Sequence, residues 1–273
     1  MAADDSAGTL ARASQGSRRR RSPLRTIAHD TFVEVLRGRW LWLAACAVLL
    51  VAACAGFART LALSETQEVT LSFAAPLARL IAVLIVVLTT VASVVREKTE
   101  GTLLLALAAP VGRASWMLGK ALGLAVIAAL TGLLLALPVL VAAEPVAAAA
   151  WTLSLILELI LVATVAAAIA RVLGQIAPAV GAALAFYVFA RILHVVLLLG
   201  ERAQNYSELQ ALAPLVRVLG ALVPRLDLFT RTDWLLGAVP SWPTLGGIVL
   251  QSLLYCALAL AAAVIDLRRA RLE

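Results

Sequence analysis

The chain has 273 residues, of which 63% are hydrophobic and only 14% charged, and its mean hydropathy is +0.98. A soluble domain of this size needs far more polar surface, so the composition excludes a water-soluble globular enzyme. The formal net charge is +7 and the isoelectric point near 10.1, a balance that in a soluble chain would suggest nucleic acid; here the placement of the basic residues along the chain gives another account.

Residues 1–22 are small, polar and arginine-rich, with no apolar stretch close behind them. They read as a disordered basic cytoplasmic tail rather than a secretory signal. Asp4 and Asp5 argue against a mitochondrial transit peptide. Residues 23–38 follow as an amphipathic helix. Leu24, Ile27, Ala28, Phe32, Val35 and Leu36 share one side at helical spacing, with Thr26, Asp30, Glu34 and Arg37 on the other. Such a helix ahead of a span is expected to lie in the membrane interface, with Gly38 as the bend.

Six apolar stretches of spanning length come next, at about 40–58, 77–95, 117–139, 150–170, 178–199 and 246–265. About 20 apolar residues cross a bilayer core of about 30 Å. Lipid offers the backbone no hydrogen-bond partner, which leaves helices or a closed barrel. Barrel strands alternate polar and apolar residues, whereas these stretches are apolar all round. The expected fold is therefore all-α, an integral membrane bundle of six transmembrane helices with an N-terminal interfacial helix, formed by residues 23–273 as one domain. Trp40 and Trp42 open the first span at aromatic-belt depth. Regularly spaced small residues in the third and fourth spans are read as close-packing surfaces.

Orientation follows from lysine and arginine in the connections. With the N-terminus in the cytoplasm, Arg12, Arg18, Arg19, Arg20, Arg21, Arg25, Arg37, Arg39, Arg96, Lys98, Arg113, Lys120, Arg171, Arg268, Arg269 and Arg271 all fall on the cytoplasmic side. The remaining seven are Arg59, Arg79, Arg191, Arg202, Arg217, Arg225 and Arg231. Six spans return the C-terminus to the cytoplasm. The expected location is a bacterial-type plasma membrane, and a nucleic-acid role has no support. The longest connection, 200–245, is external; its stretch 206–223 has apolar residues at helical spacing, and Trp234 and Trp242 fit an outer aromatic belt.

Machinery for catalysis is missing from the sequence. There is no Gly-rich phosphate loop, no HExxH, no GxSxG and no CxxC. The histidines are His29 and His194, in different compartments, and Cys46, Cys54 and Cys256 sit inside apolar spans without a disulfide or metal pattern. No catalytic residue, cofactor or metal site is expected, so any work done on a substrate draws on a partner or an ion gradient.

Two regions carry chemistry. The cytoplasmic loop 96–116 leaves the second span through Arg96, Glu97, Lys98 and Glu100, breaks at Gly101 and Thr102, runs through LLLALAA, and turns at Pro110, Gly112 and Arg113 before Trp116 and Lys120 re-enter the membrane. The apolar run is too short to span, and an exposed apolar patch of this kind marks a protein interface; the alternative is a surface-lying segment without a partner. The second region is intramembrane. Glu158 lies in the fourth span, Arg191 and His194 in the fifth, and ionisable groups at such depth are functional candidates. Glu158 and Arg191 each lie about 12 Å from the same face at about 1.5 Å per residue, so they can pair if their spans are neighbours. A packing device and a place in the substrate path both remain open for them.

The order Glu97, Gly101, Thr102, Leu103, Pro110, Arg113, Gly119 and Lys120 resembles the loop of permease subunits of ATP-binding-cassette type-2 exporters. The basic end of the N-terminal helix (Arg37, Arg39), the six-span layout and the stretch VPRLDLF at 223–229 extend the likeness from residue 24 onward. It looks closest to the branch of permeases for multi-copper-enzyme maturation. In that family an acidic residue often stands where this chain has Thr99. The resemblance implies two permease copies, or a copy and a paralogue, assembled with separate ATPase subunits. The loop around Leu103, Leu105 and Pro110 would be the coupling helix docking on each ATPase. Rivals from other classes are a membrane scaffold or assembly protein whose loop binds a partner without ATP, and a proton-coupled secondary transporter using Glu158 and His194.

Overall fold

The computed structural model describes residues 23–38, 40–61, 66–100, 113–203 and 223–269. Among them there are seven α-helices: α1 (Pro23–Arg37), α2 (Trp40–Leu61), α3 (Thr66–Thr99), α4 (Arg113–Ala142), α5 (Pro145–Leu173), α6 (Ile176–Ala203) and α7 (Trp242–Arg269). Two short 3-10 turns, Leu226–Leu228 and Thr232–Leu236, precede α7. Helices α2 to α7 are each long and apolar enough to cross a membrane. The molecule is an all-α membrane bundle.

Helix α3 begins eleven residues before the stretch read as the second span. Pro76 lies inside it. A proline removes one backbone donor, but Leu71, Ala74, Ala75 and Ala78 on either side are buried, and tertiary packing carries the helix through. Helices α3 and α5 are the enclosed members of the bundle: α3 packs on α2, α4, α5 and α6, and α5 on α3, α4, α6 and α7. Helices α2 and α7 turn large apolar side chains outward, among them Leu49, Phe57, Leu250 and Leu253, as lipid-facing helices do.

The joints follow local rules. Glu144 caps α5: its Oε2 accepts from the backbone N–H of Val146 and of Ala147, both at 3.1 Å, and Pro145 sits at the first helical position. A carboxylate at a helix N-terminus answers both the unpaired donors and the macrodipole, and proline there gives up no hydrogen bond. The other end of α5 closes at Gly174, φ 64°, a left-handed conformation that glycine adopts without a Cβ penalty. Space matters at this point too, because a Cβ on Gly174 would stand 2.8 Å from Lys98 Nζ.

Helix α1 is amphipathic, and it docks on α4 rather than standing apart. Thr31 and Val35 are buried, with Ile27, Ala28, Phe32 and Leu36 half-buried. Gly123 makes the approach possible, since a Cβ there would lie 2.7 Å from Thr31 Cβ and 2.9 Å from the Ala28 carbonyl oxygen. Gly123→Val is expected to lift α1 from α4 at a cost of about 1–3 kcal/mol, the range for overpacking. Hydrogen exchange over residues 23–37 would rise well above wild type, while exchange in α5 would stay slow.

Two tryptophans read as belt residues are core instead. Trp40 is buried because its Nε1 donates to Thr131 Oγ1 of α4 at 3.2 Å. Trp234 is buried because the segment around it turns into the bundle against α3 and α5. Trp42 and Trp242 are exposed. The stretch 206–222 of the long connection and the coupling segment 101–112, with Gly101, Thr102, Leu103, Leu105 and Pro110, lie outside the described residues.

Candidate functional site

Two polar clusters interrupt the apolar bundle, one at the end that carries α1 and one deep in the opposite half.

The first centres on Lys120 in α4. Its side chain is 6% exposed. Nζ donates to Glu97 at 2.5 Å and to Ser93 Oγ at 2.7 Å, both on α3. It also stands 3.6 Å from Glu34 Oε2 on α1. Ser93 Oγ donates onward to Glu34 Oε1 at 3.2 Å. Glu97 and Ser93 are four residues apart, hence on one face of α3. Glu97 and Lys120 thus come together from the two helices that flank residues 101–112, and α1 is tied to both. A buried ammonium is tolerated only when paired and hydrogen-bonded. Here one lysine is held by two carboxylates and a hydroxyl.

Periodicity placed Glu34 on the polar outer side of α1. In the structure it is 40% exposed and reaches back under the helix to Lys120. Its position, one turn from buried Thr31 and beside Val35, was the available signal. Arg113 opens α4. Beside the cluster, Lys98 Nζ donates to the Arg171 carbonyl at 3.2 Å, which satisfies one of the unpaired acceptors at the end of α5.

The second cluster centres on Glu158 in α5, which is wholly buried. Oε1 accepts from Tyr187 Oη of α6 at 3.1 Å and lies 3.5 Å from Arg191 Nη1. Oε2 accepts from Thr230 Oγ1 at 2.7 Å. The sequence singled out Glu158 and Arg191, and the structure brings them into one ion pair. His194 is one turn further along α6, and its side chain falls outside the described residues.

Sequence reasoning missed the remaining partners. Residues 223–236 dip into the bundle far enough for Thr230 to reach Glu158, about 20 Å along α5 from its start at 1.5 Å per residue. Irregular backbone at that depth must be buried in protein with its polar groups satisfied, and the charged residues do this. Arg191 Nη1 donates to the carbonyls of Leu226 (2.5 Å) and Phe229 (2.9 Å). Arg79 Nη1, from α3, donates to the Thr230 carbonyl and hydroxyl, each at 3.3 Å. Thr230 N–H donates to Ser154 Oγ of α5 at 3.1 Å. Leu226 and Phe229 are fully buried.

Thr230 has φ 46°, rare for a β-branched residue. Strain of this kind persists where surroundings over-determine it, and Thr230 is held by Glu158, Arg79 and Ser154 together. Arg79 was itself a signal, a lone arginine well inside an apolar helix. The count of basic residues by compartment places it only among the seven that fall outside the cytoplasmic set.

Among the described residues no group of three or more His, Cys, Asp or Glu is placed to hold a metal ion. Neither cluster has a nucleophile–base pair: the carboxylates are engaged by cations and hydroxyls from neighbouring helices. Both arrangements join helices to one another.

No curated protein matches the sequence. Residues 25–265 do match a family, the one described as ABC-2 family transporter protein, and that range takes in nearly all of α1 and α7, the other five spanning helices, both polar clusters and the intervening loop. With nearly the whole chain inside the match, and with six apolar helices to cross the bilayer, the chain belongs to the ABC-2 transporter family and is a membrane permease component of an ABC transporter.

Proposed function

We propose that this chain is the membrane-spanning subunit of an ATP-driven exporter and takes its energy from a separate ABC ATPase. It would act as a dimer with itself or a paralogue. The α1 end of the bundle faces the cytoplasm of a bacterial-type plasma membrane, in keeping with the excess of Lys and Arg at that end. Within the family, the loop motif points toward the permeases for multi-copper-enzyme maturation, while the bundle itself, apolar and poor in lining charge, suits an amphipathic cargo.

The observation that carries the proposal is the junction at Lys120. Residues 101–112 connect the end of α3 to the start of α4 in sequence, and Glu97 and Lys120 clamp those two helices together with α1. An ATPase pressing on the segment would move the three helices as one unit. That is the rigid lever needed to switch a bundle between two packings. Glu158, by contrast, is wholly buried and engaged by Tyr187, Thr230 and Arg191, which weighs against a proton carrier.

The test is co-expression with each candidate ABC ATPase of the same genome. Wild-type permease should co-purify with the ATPase and raise its ATP turnover in proteoliposomes. Leu103→Asp and Pro110→Gly should insert at wild-type levels yet lose that stimulation, leaving the ATPase at its isolated rate. Full stimulation by both variants would remove the coupling role of the loop. A scaffold would show binding without any change in turnover.

A further inference from the structure

The last turn of α3 is shared between two sets of helices. Glu97 reaches α4 through Lys120. Lys98, one residue on and so about 100° round the helix, reaches the turn that joins α5 to α6. Its Nζ donates to the Arg171 carbonyl at 3.2 Å. A Cβ on Gly174 would stand 2.8 Å from Lys98 Nζ, 3.4 Å from Cε and 3.5 Å from Cδ. The outer half of the lysine therefore lies in the notch that the glycine leaves. The Arg171 side chain adds to the same joint: it acts on the Glu97 carboxylate of α3, and its Nη1 donates to Met117 Sδ of α4. The end of α5 is thus tied to α3 by backbone and side chain at once, and α6 starts at Ile176, directly beyond the turn.

We infer that Lys98 in the Gly174 notch is the joint that passes movement of the cytoplasmic end of α3 to α5 and α6, and so to the cluster around Glu158. The inference deepens the exporter reading and rests on it for the source of the movement. An exposed lysine on one carbonyl adds little stability. Its role is geometric: a side chain seated against a backbone turn cannot slide along it without pushing it, because packed contacts have discrete arrangements and do not deform continuously. From Arg171 to Glu158 is about 20 Å of unbroken helix at about 1.5 Å per residue. Glu158 in turn holds Tyr187 on α6 and Thr230 of the inward segment. Residues 101–112 follow α3 in sequence, so a pull on them would act on α1 and α4 through Glu97 and on α5 and α6 through Lys98.

The experiment uses the full chain. Lys98→Met keeps the stem and removes the donor. Gly174→Asn keeps the left-handed cap, which asparagine tolerates, and places a Cβ where Lys98 lies. Melting temperatures of both should stay within about 4 °C of wild type. Hydrogen exchange over residues 226–236, measured on the permease alone in nanodiscs, should rise at least about fivefold in both, the lower end of ordinary coupling between sites, with exchange in α2 unchanged. Reconstituted with the ATPase, both should lose at least about fivefold of the turnover stimulation, and the double variant should be no worse than either single one. Lys98→Met, at an exposed position, carries the test by itself if the turn variant fails to insert. Wild-type exchange over 226–236 in the inserted variants, or additive losses in the double variant, would overturn the joint. A wild-type chain that stimulates no ATPase while the exchange response persists would remove the exporter reading and leave the joint standing.

Discussion

Glu158→Ala is expected to be the most damaging single change in the bundle. It removes the acceptor for Tyr187 and Thr230 and the counter-ion of Arg191 at one stroke. Breaking a buried ion pair by deleting one partner costs about 3–5 kcal/mol, because the other charge stays behind without compensation. Arg191 is only 22% exposed and cannot escape to water. Glu158→Gln should cost less, since the amide oxygen still accepts from one of the two hydroxyls and the amide NH2 donates to the other. The pair is best read through a double-mutant cycle in detergent unfolding. Glu158→Gln combined with Arg191→Gln should be less harmful than the sum of the singles, with a coupling of about 0.5–3 kcal/mol. Additive effects would mean that the pair contributes nothing beyond its separate hydrogen bonds. Arg191 also holds two carbonyls, so the double variant should recover only part of the loss.

The second large effect belongs to Lys120. In Lys120→Met the side-chain volume is roughly kept while the charge is lost, leaving Glu97 and Glu34 on facing helices with no cation between them. The expected loss is again about 3–5 kcal/mol, since a buried charge is stranded. The three members should rank in a fixed order. Lys120→Met is worst and Glu97→Gln, partly buried, is intermediate. Glu34→Gln is mildest, because a pair 40% exposed on one side and 3.6 Å apart is screened by water. Unfolding of the three variants gives the stability ranking. ATP-turnover stimulation by the co-expressed ATPase gives a second ranking, and on the proposed mechanism it follows the first. Full stimulation with Lys120→Met would show that α1, α3 and α4 need not move together.

The spanning helices were readable because their chemistry is one-dimensional. A run such as 117–139 has no polar alternative that lipid would accept, so hydropathy alone suffices. Helix ends were less legible. Pro76 looks like a boundary and is not one, since the buried faces of α3 outweigh a single missing donor. The Glu158–Arg191 meeting was legible because depth along two adjacent antiparallel helices is simple arithmetic. Thr230, Ser154 and Arg79 were not. They are brought to Glu158 by a non-helical segment far along the chain, and no periodicity marks a stretch whose conformation depends on the cavity it enters. Glu34 shows the limit of amphipathic patterning. A helix docked along its edge puts a nominally polar residue against a buried lysine, and the pattern cannot tell an outward carboxylate from an inward one.

The inward fold of residues 223–236 also constrains biogenesis. A ribosome delivers α5 with its carboxylate before α6 supplies Arg191, and delivers both before Thr230 exists. A central Asp, Lys or Arg costs about 2.5–3.5 kcal/mol on insertion scales, which the apolar remainder of each helix can absorb one at a time. The final seating therefore waits until translation has passed the last turn before α7, and a chain stalled earlier would present quality-control proteases with an open, polar-lined gap in the bilayer.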